Sequence, residues 1–476
     1  MDQERETIVA IATPPGRGGI GIVRVSGPEA LAIVAPLLRL TRPLIAGQAR
    51  FAQILDVTTG ELLDESVVTF FAAPHSYTAE DVVEIAAHGS PVLLEYLLRQ
   101  CCVNGARLAE AGEFTQRAFL AGRLDLTQAE AVQDLIESST LEQARVAARQ
   151  LGGALSRQVQ PAKERLVLLI ATLEAGIDFA EDDIDLMASD TILPEIAAIA
   201  SPLAELEQSF AYGRIVREGF RLAIVGRPNA GKSSLFNRLL ERNRAIVTPA
   251  PGTTRDLIAE RMSLGGIPVE LMDTAGLRTS PSQQLTEEET PVIDEAERLG
   301  IARSREAMAE SSVLLLVVDA TAALGVEDIS ILRHTDTRTL IVVLNKIDLQ
   351  EEERTLEPAP LISLAAMALD SSPKIVRTSA LTGAGIEKLR QAILSILQST
   401  GPTNSSVLVT NLRQHQALAE TLRALEVARR AVEKKTPHEM LLLDLYGALL
   451  ALDSLTGATT TDDILHLIFG KFCIGK

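Results

Sequence analysis

One eight-residue segment constrains the fold of this chain more than any other feature. Gly226 to Ser233 (GRPNAGKS) matches the pattern G-x-x-x-x-G-K-[ST] and lies between an apolar, strand-like run and a helical pattern. Its glycines let backbone N–H groups close around phosphates at a helix N-terminus. Lys232 is expected to neutralise the β- and γ-phosphates, and the hydroxyl of Ser233 to bind Mg²⁺. The segment predicts a nucleoside triphosphate site in a doubly wound α/β domain.

Three later motifs are expected to contact the γ-phosphate and to recognise the base of the nucleotide. Asp273 to Gly276 (DTAG) offers a carboxylate near the metal and a glycine N–H near the γ-phosphate. Asn345 to Asp348 (NKID) follows a strand, where the Asp348 carboxylate can accept hydrogen bonds from N1–H and the exocyclic amine of guanine, a pairing that adenine lacks. Ser379 and Ala380 follow a further strand, where a backbone N–H would meet guanine O6. Together the motifs predict a GTP-hydrolysing enzyme with a Ras-like P-loop G domain.

The first switch segment, Thr248 to Asp256, and two catalytic groups that the sequence lacks limit how GTP can be hydrolysed. Thr254 is placed to complete the coordination of Mg²⁺ through its hydroxyl and backbone. Leu277 stands where a Ras-type enzyme has the glutamine that orients the attacking water, so another group must do this. The sequence assigns no arginine finger, a group that contributes about 10³ to 10⁵ in rate, and something cationic should replace it. The residues expected to bind GTP are Asn229, Ala230, Gly231, Lys232, Ser233, Ser234, Thr248, Pro249, Ala250, Pro251, Gly252, Thr253, Thr254, Asp273, Thr274, Ala275, Gly276, Asn345, Lys346, Asp348, Ser379, Ala380 and Leu381.

Hydrophobic periodicity divides the chain into four segments. Residues 1–120 mix β-branched runs with helical stretches and predict an N-terminal α+β domain. Residues 121–217 and 399–476 have helical spacing and flank the G domain, residues 218–398. We predict that the flanks pack into one all-α helical domain in which the G domain is inserted, because each flank alone is small. The alternative is two independent bundles. Thr436 to Glu439 (TPHE) predicts an N-cap, a first-position proline and an N3 glutamate.

Composition argues against several classes of protein. The formal net charge of −18 disfavours unaided binding of nucleic acid, because release of counterions from phosphates needs Lys and Arg. Three cysteines, two of them adjacent, predict neither a disulfide framework nor a zinc site. The acidic start lacks the features of a signal peptide, and no apolar run approaches the roughly 18 residues of a membrane span. We expect a cytoplasmic protein that does not span a membrane.

Four segments, three of them outside the nucleotide motifs, resemble the MnmE (TrmE) family of tRNA-modifying GTPases. They are Thr13 to Gly19 (TPPGRGG), Gly112 to Phe119 (GEFTQRAF), Gly252 to Asp256 (GTTRD) in the switch, and Cys473 to Lys476 (CIGK). The last matches the C-x-G-K ending of the family, and the resemblance covers nearly the whole chain. It implies a homodimer that acts with the flavoprotein MnmG, as a heterotetramer, on tRNA.

The resemblance also implies a reaction and a cofactor. Proteins similar to this one install a carboxymethylaminomethyl-type group at position 5 of the wobble uridine, using a one-carbon unit from 5-formyltetrahydrofolate or a related tetrahydrofolate. Their N-terminal domain mediates dimerisation and binds the folate. The matching positions here are Arg24, Glu84, Arg123 and Lys476, for which ordinary surface charge is the alternative interpretation.

The same resemblance supplies candidates for the missing cation and for the residue that orients water. Similar enzymes replace the arginine finger with K⁺, held by the side chain at Asn229 and by backbone at Thr248, Ala250 and Thr253. The amide oxygen of Asn229 is an acceptor, and it suits a phosphate only if a cation lies between them. The glutamate of the family that orients water aligns with Glu297; a solvated helix glutamate is the alternative.

Two features leave alternatives open. Thr279 to Ile293 resembles an insertion, and the alignment to Glu297 depends on that interpretation. Cys473 is a candidate nucleophile on a terminal tail, and a buried cysteine is the alternative. For the whole chain, the second hypothesis is a GTP-dependent assembly switch of the ribosome-biogenesis type that does no covalent chemistry on RNA. Such a switch has no use for a folate pocket or for the tail, so the two ends of the chain discriminate the hypotheses.

Overall fold

The chain divides into two compact units. The computed structural model describes residues 6–178, 189–240, 259–273, 311–322, 328, 339–349, 373–398, 407–458, 465, 468–470 and 472–475. One unit comprises Met1–Gln133, Arg149–Ile199 and Glu420–Lys476, and the other comprises Asp134–Ala148 and Ala200–Ala419. Among the described residues, no helix is long and apolar enough to cross a membrane.

The first unit is built on a seven-stranded sheet with the strand order β3-β4-β5-β6-β2-β1-β7. All neighbours are antiparallel except β1 and β7. On β5, Val68 and Phe70 are buried while Val67 is exposed, as the two-residue period of a half-buried strand requires. Helix α2 packs on the sheet and buries Leu94 and Leu97 in its core. The strands are β1 (Ile8–Ile11), β2 (Gly18–Ser26), β3 (Leu38–Leu40), β4 (Ala49–Leu55), β5 (Leu62–Phe71), β6 (Val82–Gly89) and β7 (Arg107–Leu108), with helices α1 (Ala30–Val34) and α2 (Pro91–Val103).

Helix α3 (Glu113–Leu120) is fixed by a charge network. Glu113 accepts from Arg107 at 2.7 Å and from Arg117 at 2.9 Å, and Arg117 also pairs with Glu80 at 3.0 Å. Gly112, before the helix, has φ 68°, and a Cβ there would lie 2.7 Å from the backbone oxygen of Phe469. The GEFTQRAF segment therefore packs against Phe469, near the end of the chain.

Helices from both flanks of the G domain contact each other in the first unit. Lys163 on α6 pairs with Asp453 on α12 at 2.6 Å, and the Tyr446 hydroxyl donates to Glu174 at 2.6 Å. This contact agrees with the prediction that the two flanks pack together. The helices outside the G domain are α4 (Leu126–Glu137), α5 (Leu141–Leu151), α6 (Ala154–Asp178), α7 (Ser189–Gln208), α8 (Phe210–Glu218), α11 (Leu412–Glu433) and α12 (His438–Thr456).

The second unit contains a six-stranded sheet with the strand order β13-β12-β11-β8-β10-β9, parallel except for the pair β9 and β10. Strand β11 is apolar from Val313 to Val318, as expected for a strand covered on both faces. Val313, Leu315 and Val317 enter one core, and the residues between them enter the other. The elements are β8 (Phe220–Val225), α9 (Lys232–Leu240), β9 (Ala259–Leu264), β10 (Ile267–Asp273), β11 (Val313–Asp319), β12 (Thr339–Asn345), β13 (Lys374–Arg377) and α10 (Ile386–Gln398).

The chain segments immediately before and after this α/β domain contact each other. The N–H of Val409 donates to the Ser209 hydroxyl at 3.0 Å, and the rings of Phe210 and His415 stack with centroids 4.2 Å apart. Gly213 on α8 allows the approach, because a Cβ there would lie 2.0 Å from the backbone oxygen of Val409. The α/β domain is thus inserted between helical segments that contact each other, as predicted.

The predicted fold class is confirmed: an N-terminal α+β domain, a helical domain and an inserted α/β domain. The exact domain boundaries stay predictions, because the two compact units divide helices α4, α5, α7 and α11 between them.

Candidate functional site

The loop after β8 is held in shape by two glycines. Gly226 has φ 145° and Gly231 has φ 95°, a region that disfavours residues with a side chain. A Cβ on Gly226 would lie 2.2 Å from the backbone oxygen of Val317, and one on Gly231 would lie 2.2 Å from Nδ2 of Asn345. At both glycines the loop backbone therefore packs closely against neighbouring atoms, which leaves no room for a side chain.

Lys232 opens helix α9 and is folded into this loop. Its side chain is buried, and Nζ donates to the backbone oxygens of Gly226 and Arg227 at 2.8 Å each. Ser233 and Ser234 follow in the first helical turn and are exposed. An ammonium group and the N–H groups of a helix N-terminus thus lie in one place, the arrangement that favours bound phosphate.

Asn229 lies in the exposed part of the loop. It has φ 61°, which asparagine tolerates better than most residues. The neighbouring Arg227 pairs with Asp328 at 2.7 Å, and Asp328 is fully buried. This ion pair connects the loop to Asp328, which follows β11 in the chain.

Asn345, at the end of β12, connects the phosphate loop to the loop that follows β13. Its side chain is 1% exposed. Nδ2 donates to the backbone oxygen of Ala230 at 3.0 Å, while Oδ1 accepts from the N–H of Ala380 at 3.0 Å and from the hydroxyl of Thr378 at 3.3 Å. A single buried amide therefore joins three of the predicted motifs.

The two charged residues of the NKID motif differ in their surroundings. Nζ of Lys346 lies 2.6 Å from Oδ2 of Asp319. Burial acts to raise the pKa of Asp319, but hydrogen bonds from Lys346 and Thr321 outweigh it and hold that pKa below its usual value. Asp348 lies in the short 3₁₀ turn Ile347–Leu349 and is exposed. Its carboxylate is thus accessible to a base.

The loop after β13 has an anchor that the sequence motifs do not contain. The N–H of Ser379 donates to the oxygen of Ala384 at 2.9 Å, and the Ser379 hydroxyl accepts from Thr382. Arg238 on α9 donates from Nε to the oxygen of Ala380 at 2.9 Å and from Nη2 to the oxygen of Leu381. Sequence reasoning missed Arg238 because no short-range pattern marks an arginine whose partners are backbone atoms about 140 positions away.

Part of the predicted nucleotide site lies outside the described residues. Asp273 ends strand β10, so the DTAG motif starts where expected at the end of a strand. The predicted site residues outside the described part of the chain are Thr248, Pro249, Ala250, Pro251, Gly252, Thr253, Thr254, Thr274, Ala275, Gly276, Glu297 and Lys476. Thr279 to Ile293 also lies outside it.

A second cluster of predicted residues lies on the N-terminal sheet. Arg24 on β2 is the register partner of Glu84 on β6, and its Nε and Nη2 each lie 2.8 Å from Glu84 Oε1. The guanidinium groups of Arg24 and Arg123 lie 5.6 Å and 5.4 Å from the centre of the Tyr77 ring. Arg24 and Glu84 side chains are only 19% and 25% exposed, which argues against ordinary surface charge. Two arginines, a carboxylate and an aromatic ring thus share one site.

The end of the chain joins this cluster. Ile474 forms an antiparallel bridge with Ala111, and Gly475, with φ 97°, leaves only 2.6 Å between an added Cβ and the oxygen of Ile11. Arg24 donates to the oxygen of Gly475 at 3.4 Å. Cys473 is an exposed free thiol, so its interpretation as a buried cysteine is wrong and the nucleophile interpretation stays a prediction.

Comparison with known proteins gives matches along the whole chain. A model described as "MnmE helical domain" matches residues 126–473, and "GTP-binding protein TrmE N-terminus" matches residues 7–123. The tRNA modification GTPase MnmE of Koribacter versatilis is 54% identical over 99% of both chains, and that of Roseiflexus sp. is 42% identical over 99% of both. Among solved structures, Aquifex aeolicus Era bound to GDP·AlF₄⁻ matches at 26% identity over 43% of this chain and 66% of that chain, with a TM-score of 0.28.

Proposed function

Since the chain belongs to the MnmE family of tRNA modification GTPases, we propose that its GTP cycle drives modification of the wobble uridine of tRNA. It is a GTPase, and it acts in tRNA modification. The main observation in favour of the GTP site is the pair of hydrogen bonds made by the Asn345 side chain. They join the phosphate loop, at Ala230, to the loop after β13, at Ala380, which we call the base loop. The finer proposal is a carboxymethylaminomethyl group at position 5 of the uridine.

The described residues account for nucleotide binding. Loop amides and the Lys232 ammonium, which lies 2.8 Å from two loop oxygens, would turn to the β- and γ-phosphates. The exposed Ser233 hydroxyl, together with Thr254, fits Mg²⁺, which prefers oxygen ligands. Bound Mg²⁺ would neutralise charge on the phosphates. The exposed carboxylate of Asp348 would select guanine by accepting two hydrogen bonds from its Watson–Crick edge.

Catalysis is proposed to use K⁺ in place of an arginine finger. Asn229, exposed on the phosphate loop with φ 61°, would supply an amide oxygen, and Thr248, Ala250 and Thr253 would supply backbone oxygens. Glu297 would orient the attacking water. The support for these roles is the family, together with the position of Asn229 on the loop that holds the phosphates.

The N-terminal cluster is proposed to bind a tetrahydrofolate one-carbon donor. A reduced pterin has ring N–H donors that suit the Glu84 carboxylate and a flat face that suits Tyr77. Its glutamate tail suits an arginine such as Arg123, or Lys476 at the end of the chain. The hydrogen bond from Arg24 to the Gly475 oxygen supports this, because Cys473 lies two residues before Gly475 in the chain. A nucleophilic role for Cys473 is part of the same proposal.

The partners are proposed to be a second copy of this chain and the flavoprotein MnmG. A net charge of −18 makes this chain a poor binder of tRNA by itself, so MnmG would supply most of the basic surface. In a salt titration, we expect tRNA binding to be weak for this chain and steeply salt-dependent for MnmG or the complex. Tight, strongly salt-dependent binding by this chain alone would contradict the assignment.

Mass spectrometry of tRNA wobble nucleosides tests the proposed function. Cells lacking this protein should contain unmodified wobble uridine, and the wild-type gene should restore the modification. The Arg24→Gln variant should hydrolyse GTP at the wild-type rate but fail to restore the nucleoside, because Arg24 lies in the folate cluster. Arg39→Gln, at an exposed position on β3 of the same sheet, is the matched control and should restore it. Unchanged wobble nucleosides in the deletion strain would instead favour the GTP-dependent assembly switch.

A further inference from the structure

We propose that Arg238 is a positioning residue for guanine recognition: it fixes the backbone of the Ala380–Leu381 loop so that this loop can read the O6 atom of the base. The inference rests on the proposed binding of GTP. It adds a residue outside the four nucleotide motifs, on the face of α9 that reaches the base loop.

The contact geometry supports a holding role. Arg238 is half-buried, and its guanidinium donates to two successive backbone oxygens, at 2.9 Å to Ala380 and also to Leu381. A planar guanidinium presents its donors in a fixed fork, so a pair of such bonds sets the direction of the peptide groups as well as their distance. The loop backbone is thereby oriented by one side chain.

Arg238 supports the loop where it turns outward, next to the buried Ala380 and the hydrogen bonds within residues 379–384. The Leu381 side chain is 75% exposed, so apolar burial does not hold it. The N–H of Ala380 donates to Asn345 on one side, while its oxygen accepts from Arg238 on the other. Asn345 and Arg238 therefore hold the two peptide groups on either side of the Ala380 Cα. Without Arg238, the bond from the Ala380 N–H to Asn345 would remain, but the oxygens of Ala380 and Leu381 would lose their hydrogen bonds to the guanidinium.

Helix α9 makes this restraint relevant to the nucleotide. The helix begins at Lys232, which lies in the phosphate loop, and reaches Arg238 after six residues, about 9 Å along the helix axis. One rigid helix therefore contacts the phosphate loop with its first turn and the base loop with a later one. The helix thus helps to set the distance between the phosphate loop and the Ala380–Leu381 loop. A bound guanine nucleotide would have to match this distance.

The test measures how the Arg238→Ala variant binds three diphosphates. GDP and IDP carry the O6 atom, whereas the fluorescent 2-aminopurine riboside diphosphate lacks both O6 and N1–H. Because the ligands also differ at the edge that Asp348 reads, the dissociation constant of the variant is compared with that of the wild type for each ligand separately. If Arg238 acts through the O6-reading backbone, the variant should bind GDP and IDP about tenfold more weakly than the wild type, the effect of roughly one hydrogen bond. The dissociation constant for the 2-aminopurine ligand should stay within about twofold. Arg238→Lys, which keeps a donor, should recover part of the loss.

A matched control separates positioning from general stability. Arg390 is buried, and it also contacts α9, because it donates to the backbone oxygen of Leu239 at 3.0 Å. Its ion-pair partner is Glu387, so within the described part of the chain it bonds to these residues rather than to the Ala380–Leu381 loop. Arg390→Ala should lower the melting temperature without changing the ratio of the three dissociation constants.

Each outcome decides a different claim. An equal loss of affinity for all three ligands, or no loss at all, would overturn the role of Arg238. Failure of the wild-type protein to bind GDP would instead overturn the proposed function. Selective loss for the two ligands that carry O6, with recovery in Arg238→Lys, would support the positioning role.

Discussion

An Asp348→Asn variant is expected to lose its preference for GTP and to prefer xanthosine triphosphate. The wild-type carboxylate is proposed to accept from N1–H and from the exocyclic amine of guanine, whereas an amide would present a donor that faces that amine unfavourably. Xanthine carries an oxygen at C2 in place of the amine, so it can accept a hydrogen bond from the Asn amide. A site built around such hydrogen bonds rejects the wrong partner strongly, so we expect GTP affinity to fall at least about 100-fold. Nucleotide titrations with GTP and xanthosine triphosphate measure the change.

Asp319→Asn is the matched control for this exchange. Asp319 lies at the end of β11 and pairs with Lys346 at 2.6 Å, so the same chemical change falls within the site but not on the base-reading carboxylate. It should weaken binding of both triphosphates without reversing their order. If Asp348→Asn retains the preference for GTP, another residue reads the base.

The parallel sheet was predictable from local pattern. The uninterrupted apolar run of β11, Val313 to Val318, is six residues long, a length that favours a strand buried on both faces over a buried helix. The loop after β8 was equally predictable, because its glycines are needed where Val317 and Asn345 approach the backbone. In these places one local rule decides the structure.

The start of α12 shows where local pattern gave a wrong result. The sequence predicted Thr436 as the N-cap, but the helix begins at His438 with Pro437 as the cap residue. Thr436 instead belongs to the end of α11: its N–H bonds to Ala431, and the N–H of Lys435 bonds to Val432, the pattern of a Schellman motif. Lys435 has φ 56°. Glycine usually occupies that position, so a lysine there gave no signal.

The N-terminal cluster could not be derived from spacing. Arg24 and Glu84 meet because the register of β2 and β6 pairs them, and Gly475 joins them from the far end of the chain. Only the family resemblance indicated these residues in advance. Arg238 carried neither a motif nor a resemblance, because its partners are carbonyl oxygens that any residue could provide. Long-range contacts of this kind are set by packing, which a single sequence does not display.

Replacing K⁺ by Na⁺ is expected to slow GTP hydrolysis by on the order of 10³-fold, the lower end of what an arginine finger contributes. Binding of GDP should change little, because the proposed contacts of Lys232 and the loop amides with the phosphates do not involve the monovalent cation. Single-turnover hydrolysis in KCl, NaCl and choline chloride at equal ionic strength measures the effect. The smaller Na⁺ would not span the backbone and amide oxygens proposed to hold K⁺.

Asn229→Ala tests whether the cation acts through the phosphate loop. The variant should hydrolyse GTP at the same low rate in all three salts, since it lacks the amide oxygen that would hold the cation. Its φ of 61° suits asparagine better than alanine, so Asn229→Asp, which keeps an oxygen ligand and adds charge, provides the second variant. Asp should retain part of the response to K⁺. Equal wild-type rates in KCl and NaCl would contradict the potassium role, and a full K⁺ response in Asn229→Ala would move the cation site away from this residue.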